Sequence, residues 1–240
     1  MTKNYLIKSE NHNIDLCTNV IENPKKIILC QHGFNGNLWG DGFDKLREAF
    51  TDVLVCSYDS AGHGNSEVAS LDMRLDLINR ETFDVTNFLA KTYPDVPIII
   101  FSGSYGSYRT ITAISSYNLP NVKHIILINP AIQMLNILEK VKDFDYSKLN
   151  ESDTVPMKRS LNKYLSKKFL DDLYQNDGLL LQLPPIPMTM FLGKYDNFVP
   201  QKASLKFAKL HNVPVKYIDD EHCITNPKAW ETIIDFLKSL

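Results

Sequence analysis

The stretch Phe101-Ser102-Gly103-Ser104-Tyr105-Gly106-Ser107 carries residue types that nucleophilic acyl chemistry needs. Ile98-Ile99-Ile100-Phe101 reads as a buried strand, and Ile111, Ile114 and Tyr117 follow at helical spacing. A serine at such a strand-to-helix corner sits in strained backbone geometry, so the residues two before and two after it must be small. Ser104 is that central residue, flanked at those positions by Ser102 and Gly106. The usual pattern is G-x-S-x-G; here Ser102 replaces the first glycine and is still small enough for the turn. Ser102 and Ser107 are rival serines but lack small flanks centred on them. Taken alone, the motif can also be read as a Ser/Gly-rich loop with no chemical role.

Two further loops follow buried strands. Ile27-Ile28-Leu29-Cys30-Gln31 leads into His32-Gly33-Phe34-Asn35-Gly36. A glycine-containing loop of this kind is where acyl-transfer enzymes of such topology place one oxyanion donor, the other being the N–H after the nucleophile. By position these donors are the backbone N–H groups of Phe34 and Tyr105. The side chains of Phe34, Trp39 and Tyr105 are expected to line a substrate pocket. His32 reads as a structural histidine bonding its own loop. The third loop, Tyr58-Asp59-Ser60-Ala61-Gly62-His63-Gly64-Asn65-Ser66, has two glycines suited to positive φ.

These residues must be held by elements whose pattern alternates. Apolar runs at Ile27–Cys30, Val53–Cys56, Ile98–Phe101, Ile125–Ile128, Met188–Leu192 and Val215–Ile218 suit strands buried on both faces. Between them, Leu71, Leu75, Ile78, Val85, Phe88 and Leu89 form one apolar stripe at helical spacing. Ala203, Phe207, Ala208 and Leu210 form another, and Trp230, Ile233, Ile234 and Leu237 a third. Tyr5-Leu6-Ile7 and Ile14-Asp15-Leu16 suggest a leading antiparallel hairpin. The fold class is therefore α/β, a mostly parallel central sheet flanked by helices. Residues 131–187 contain no buried-strand run and end in Pro184-Pro185-Ile186-Pro187. They read as an inserted, mainly helical cap on a core made of 1–130 and 188–240; an ordinary pair of surface helices is the alternative.

At this point the order of motifs resembles the α/β-hydrolase family, whose first half reads strand, HG loop, strand, D-x-x-G-H-G-x-S, helix, strand, nucleophile elbow. Asp59, Gly62, His63, Gly64 and Ser66 match the second motif in order and spacing. In the family that loop is not catalytic. The resemblance implies an acid after a late strand, in a phrase like G-x-x-D-x-x-V-P, and a histidine after the last strand. Gly193-Lys194-Tyr195-Asp196-Asn197-Phe198-Val199-Pro200 supplies Asp196, and Asp219-Asp220-Glu221-His222-Cys223 supplies His222. The implied triad is Ser104, Asp196 and His222, in the family's chain order. Asp219, Asp220 and Glu221 stand as substitute acids, and Cys223 as a small residue beside the histidine.

The resemblance to small bacterial carboxylesterases, including cinnamoyl and feruloyl esterases and monoacylglycerol-lipase-like enzymes, implies an esterase forming an acyl-enzyme on Ser104. Short- to medium-chain or aromatic acyl groups are the expected substrates, with no cofactor and no metal. An acyl-thioesterase or acyltransferase would use the same triad; a non-catalytic ligand receptor on the hydrolase fold is a more distant alternative. The insert's eight basic residues (Lys140, Lys142, Lys148, Lys158, Arg159, Lys163, Lys167 and Lys168) are matched by eight acids, so its composition favours no charged leaving group.

Composition narrows the rest. A hydrophobic fraction of 44% with 22% charged residues can bury a core, which excludes a disordered chain. With 26 basic against 28 acidic residues the net charge is −2, leaving no basic excess to neutralise nucleic-acid phosphates. No run is long enough for a membrane span. The opening Met1-Thr2-Lys3-Asn4-Tyr5-Leu6-Ile7-Lys8 turns polar too soon for a signal peptide, so a cytoplasmic location is expected, with a homodimer left open. Cys17, Cys30, Cys56 and Cys223 form no C-x-x-C pair, so neither a zinc site nor a disulfide framework is expected.

Overall fold

Apolar residues run unbroken along the central strands because the sheet is covered on both sides. Alternate residues of each strand enter different cores: Ile27, Leu29, Ile98, Ile100, Ile125 and Leu127 one, Ile28, Cys30, Ile99, Phe101, Ile126 and Ile128 the other. The structure, a computed structural model, describes residues 2–40, 42–158 and 161–240. Arg159, one of the insert's basic residues, lies outside the described residues.

The main sheet is built from β1 (Thr2–Ser9), β2 (His12–Asn19), β3 (Lys26–Gln31), β4 (Val53–Tyr58), β5 (Ile98–Gly103), β6 (Val122–Ile128), β9 (Met188–Gly193) and β10 (Val215–Ile218). Their spatial order is β1-β2-β4-β3-β5-β6-β9-β10. β1 and β2 form the leading hairpin, with Leu6 opposite Asp15, and β2 is antiparallel to both its neighbours. All remaining pairs are parallel, so β3, β5, β6, β9 and β10 end on one edge. In open parallel sheets that edge is where ligands bind.

Helices α2 (Leu75–Thr92), α3 (Tyr105–Ser116) and α6 (Gln201–Leu210) cover one face. The other face is covered by α7 (Pro227–Ser239) and by α1 (Phe43–Ala49), a short helix that the sequence periodicity does not announce. Leu71 does not join the α2 stripe; it lies in a 3₁₀ turn over Ser70–Asp72 and is exposed, as is Leu210 at the end of α6. Residues 131–187 form α4 (Met134–Lys142), a hairpin of β7 (Thr154–Lys158) and β8 (Lys163–Ser166), and α5 (Lys167–Gln175). The hairpin is an addition to the helical content expected there. Its Val155, Met157 and Leu165 are buried against the main core, and only the alternate residues are apolar, too few for a buried-strand run. Among the described residues no helix is long and apolar enough to cross a membrane.

A buried carboxylate links α2 to the third motif loop. Glu81 is fully buried and accepts from the Ser60 hydroxyl at 3.0 Å and from the Ala61 N–H at 3.1 Å. His12 Nε2 lies 3.0 Å from the same carboxylate. That hydrogen bond raises the His12 pKa above the ordinary 6.5 despite burial, and Glu67 and Glu10 act in the same direction. A raised folded-state pKa means that the protonated histidine stabilises the fold below the unfolded value. That contribution is lost as pH rises through the folded value. The stability advantage of the wild type over His12→Ala, from urea midpoints across a pH series, should therefore be full below pH 6.5 and shrink above it. An advantage constant across the series would refute the charged pair.

Candidate active site

Ser104 stands between the last residue of β5 and the first of α3, with φ 51° and ψ −118°. A non-glycine residue holds this conformation only where its surroundings impose it. Here the backbone is pinned on both sides: Ser104 N–H donates to the Ile128 carbonyl at 2.9 Å, and Ala131 N–H donates to the Ser104 carbonyl at 3.1 Å. At Gly106 a Cβ would lie 2.3 Å from the Gln31 carbonyl oxygen, so only glycine lets α3 approach β3. The substitution at Ser102 is accommodated because its hydroxyl donates to the Ile126 carbonyl at 3.0 Å. Ser107 donates to the Ser102 carbonyl at 2.8 Å, so both rival serines are buried and engaged within the backbone.

The other two residues of the expected triad lie in loops after β9 and β10. His222 Nε2 is 3.0 Å from Ser104 Oγ, and His222 Nδ1 is 2.8 Å from Asp196 Oδ2. The carboxylate fixes the proton on Nδ1, which leaves the Nε2 lone pair facing the hydroxyl. Asp196 Oδ1 accepts from the Phe198 and Val199 N–H groups at 2.8 and 3.0 Å. Burial pushes the Asp196 pKa up, but the hydrogen bonds from His222 and these N–H groups outweigh it and hold the group below its ordinary value. The rival acids are occupied elsewhere. Asp219 meets Lys194 and the Tyr195 hydroxyl, and Asp220 accepts from the N–H groups of Glu221, Thr225 and Asn226.

Asn129, at the end of β6, joins both loops. Its Nδ2 donates to the carbonyls of Glu221 and His222 at 3.0 and 2.9 Å, while its Oδ1 accepts from Gly193 N–H at 2.7 Å. Sequence reasoning passed over Asn129 and read Asp220 only as a substitute acid, where its side chain instead accepts from the Glu221, Thr225 and Asn226 N–H groups. The available signal was a lone amide between the apolar run Ile125–Ile128 and Pro130.

The backbone N–H of Tyr105 opens α3 and has no acceptor within the helix. The Phe34 N–H lies in the loop after β3, and among the described residues it has no hydrogen-bond acceptor. The two residues meet edge to face, with ring centroids 5.3 Å apart. His32 and His63 lie beneath. His32 Nδ1 donates to the Gly33 carbonyl at 2.9 Å and Nε2 accepts from Ser60 N–H at 3.2 Å. His63 Nδ1 donates to the Ala61 carbonyl, and burial drives its pKa down to about 3.

A cavity of about 630 Å³ opens over Ser104 and His222. Phe34 lines it, together with Phe101, Ile128, Trp230 and the α4 face that runs from Met134 through Ile137 and Leu138 to Val141. The other two expected pocket residues are elsewhere. Trp39 is outside the cavity, half exposed, with its ring over the Arg47 guanidinium at 5.2 Å. Tyr105 is fully buried, its ring stacked on His63 at 5.4 Å, because the first turn of α3 points its side chain inward. Nothing in the spacing of Trp39 and Tyr105 told their backbone positions apart from their side-chain directions.

The strand order and the strained serine after β5 define an α/β-hydrolase fold. The family model described as "Serine aminopeptidase, S33" matches residues 22–186, and the chain belongs to that family. It is similar to the monoglyceride lipase of Rattus norvegicus, 29% identical over 112 residues, which are 45% of this chain and 36% of the relative. The chain thus matches about a third of that relative's length. Among solved structures it is similar to Est1E of Butyrivibrio proteoclasticus bound to ferulic acid. There the TM-score is 0.81 at 20% identity, covering 98% of both chains. A putative hydrolase of Agrobacterium vitis S4 gives 0.78 at 16% identity, over 100% of this chain and 98% of the other.

Removing the amide of Asn129 would leave two carbonyls and one N–H without their partner. Asn129→Ala should cost about 1–3 kcal/mol in urea unfolding, and an unchanged midpoint would show that the amide does not hold the loops.

Proposed function

We propose that the protein is a serine carboxylesterase that cleaves esters of short- to medium-chain or aromatic acyl groups. The observation that carries this reading is the continuous hydrogen-bond chain from Asp196 through His222 to Ser104 Oγ, ending in an apolar cavity. Its volume lies within the range of small-molecule sites.

His222 Nε2 takes the Ser104 proton as Oγ attacks the ester carbonyl carbon. The carbonyl oxygen becomes an oxyanion that accepts from the N–H groups of Phe34 and Tyr105. The C–O bond to the alcohol breaks, and His222 returns the proton to that oxygen. Water then attacks the acyl carbon with His222 as its base, the bond to Ser104 Oγ breaks, and His222 returns the proton to Oγ as the acid leaves. Asp196 stabilises the imidazolium formed in both halves. Residues 131–187 act as the cap, with α4 supplying the apolar wall. The monoglyceride lipases and the feruloyl-type structural neighbour act on or bind molecules that fit this reading.

A p-nitrophenyl ester series of increasing acyl length should give a maximum at one length. Ser104→Ala should lower kcat by roughly 10⁶-fold and Asp196→Asn by roughly 10⁴-fold. Equal activity in wild type and Ser104→Ala would refute Ser104 as the nucleophile. Acyl-thioester substrates and added alcohols, run alongside, separate the thioesterase and acyltransferase readings. Aminoacyl p-nitroanilides check the amide bond named in the family description. Binding of small molecules without any turnover would favour the receptor reading.

A further inference from the structure

The catalytic cavity does not end in solvent alone. A second cavity of about 340 Å³ adjoins it, lined by Asn35, Val141, Lys142, Pro156, Met157 and Lys158. Asn35, Val141 and Lys142 line both. The two spaces therefore meet at the C-terminal end of α4, where the β7–β8 hairpin faces it.

α4 leads from one space to the other. Ala131 N–H is bonded to the Ser104 carbonyl, and the helix starts three residues later. Met134, Ile137, Leu138 and Val141 then give the cavity an apolar wall about 12 Å long from the helical rise. At its far end the chemistry changes abruptly to Lys142. The Lys142 ammonium donates to the Met157 carbonyl at 2.9 Å, across to the hairpin rather than back onto its own helix. One of its three donors is used in that bond and two remain. Lys158, a second lysine, and Asn35 line the same space. Among the described residues, neither lysine is in an ion pair, whereas Lys148 and Lys167 in the same insert are paired with Asp145 and Asp171.

The opposite end carries the opposite sign. Glu221, beside His222, lines the catalytic cavity and is in no ion pair among the described residues. The cavity thus has lysines of the insert at its α4 end and Glu221, a residue of the core, at its His222 end.

Building on the esterase reading, we propose that Lys142 and Lys158 form a specificity subsite for an anionic group at the end of an apolar chain. The substrate is an ester whose chain lies along α4 and ends in a carboxylate or phosphate. The Glu221 charge at the other end disfavours the reversed orientation. The anion can belong to the acyl part or to the alcohol part, since both present the same group to the lysines.

The experiment uses matched pairs that differ only in the terminal charge. p-Nitrophenyl octanoate and mono-p-nitrophenyl suberate carry the difference on the acyl side; octyl acetate and its ω-carboxylate counterpart carry it on the alcohol side. In one pair, the ratio of kcat/KM for the charged over the neutral ester should fall about ten- to hundredfold in Lys142→Gln/Lys158→Gln. It should also fall with added salt and recover in Lys142→Arg/Lys158→Arg. Binding of the same pairs to Ser104→Ala, followed by calorimetry, needs no turnover and should give the same preference with the same loss on lysine replacement. Absence of turnover with intact charge-selective binding would overturn the esterase reading and keep the subsite. Ratios and affinities unmoved by the lysine replacements in both pairs would overturn the subsite.

Discussion

Two segments of backbone touch at Gly106 so closely that no side chain fits between them. The carbonyls of Gln31 and His32, at the end of β3, occupy the space that a Cβ would need. This contact sets the height of α3 above the sheet, and Ser104 must take up the sharp turn that results. Holding a serine there costs roughly 1–3 kcal/mol. The helix offsets that cost by burying every residue from Tyr105 to Ile114. Its threonines tolerate burial because Thr110 and Thr112 turn their hydroxyls to the carbonyls of Gly106 and Tyr108, one turn back.

The same contact brings the loop after β3 beside the start of α3, so the Phe34 and Tyr105 N–H groups sit on neighbouring residues in space. The other half of the site depends on different devices. A Cβ on Gly193 would lie 2.3 Å from the Glu221 carbonyl, so the loops of Asp196 and His222 are also in direct backbone contact. Asn129 fastens that contact with side-chain hydrogen bonds to both loops, and Asp220 braces the His222 loop from within. Two pairs of touching backbones, one at each side of β6, thus fix the whole hydrogen-bond chain.

What was legible in the sequence was what repeats or what sterics demand. Six runs became six strands, five of them because burial on both faces requires unbroken apolar residues; the sixth, β10, lies at the sheet edge with Lys216 and Tyr217 exposed, not buried on both faces as its run suggested. The elbow was legible because its small flanks follow from contact distances. Asp196 and His222 were legible only through resemblance, since a loop carboxylate and a loop histidine have no periodicity of their own. α1 escaped notice because seven residues hold too few turns to repeat a stripe. The direction of the Trp39 and Tyr105 side chains depended on partners far away in sequence, Arg47 and His63, which no local pattern encodes. Asn129 is one residue making three long-range bonds, and such a residue leaves almost no trace in its neighbours' spacing.

The sequence separation within the hydrogen-bond chain has a consequence for synthesis. Ser104 precedes His222 by 118 residues, and Asp196 precedes it by 26. A growing chain exposes and folds its earlier segments first. Ser104 therefore emerges without the imidazole that faces it in the finished fold. Only when β10 pairs with β9 does the imidazole arrive. The hydrogen-bond chain from Asp196 through His222 to Ser104 thus closes only on completion of the sheet.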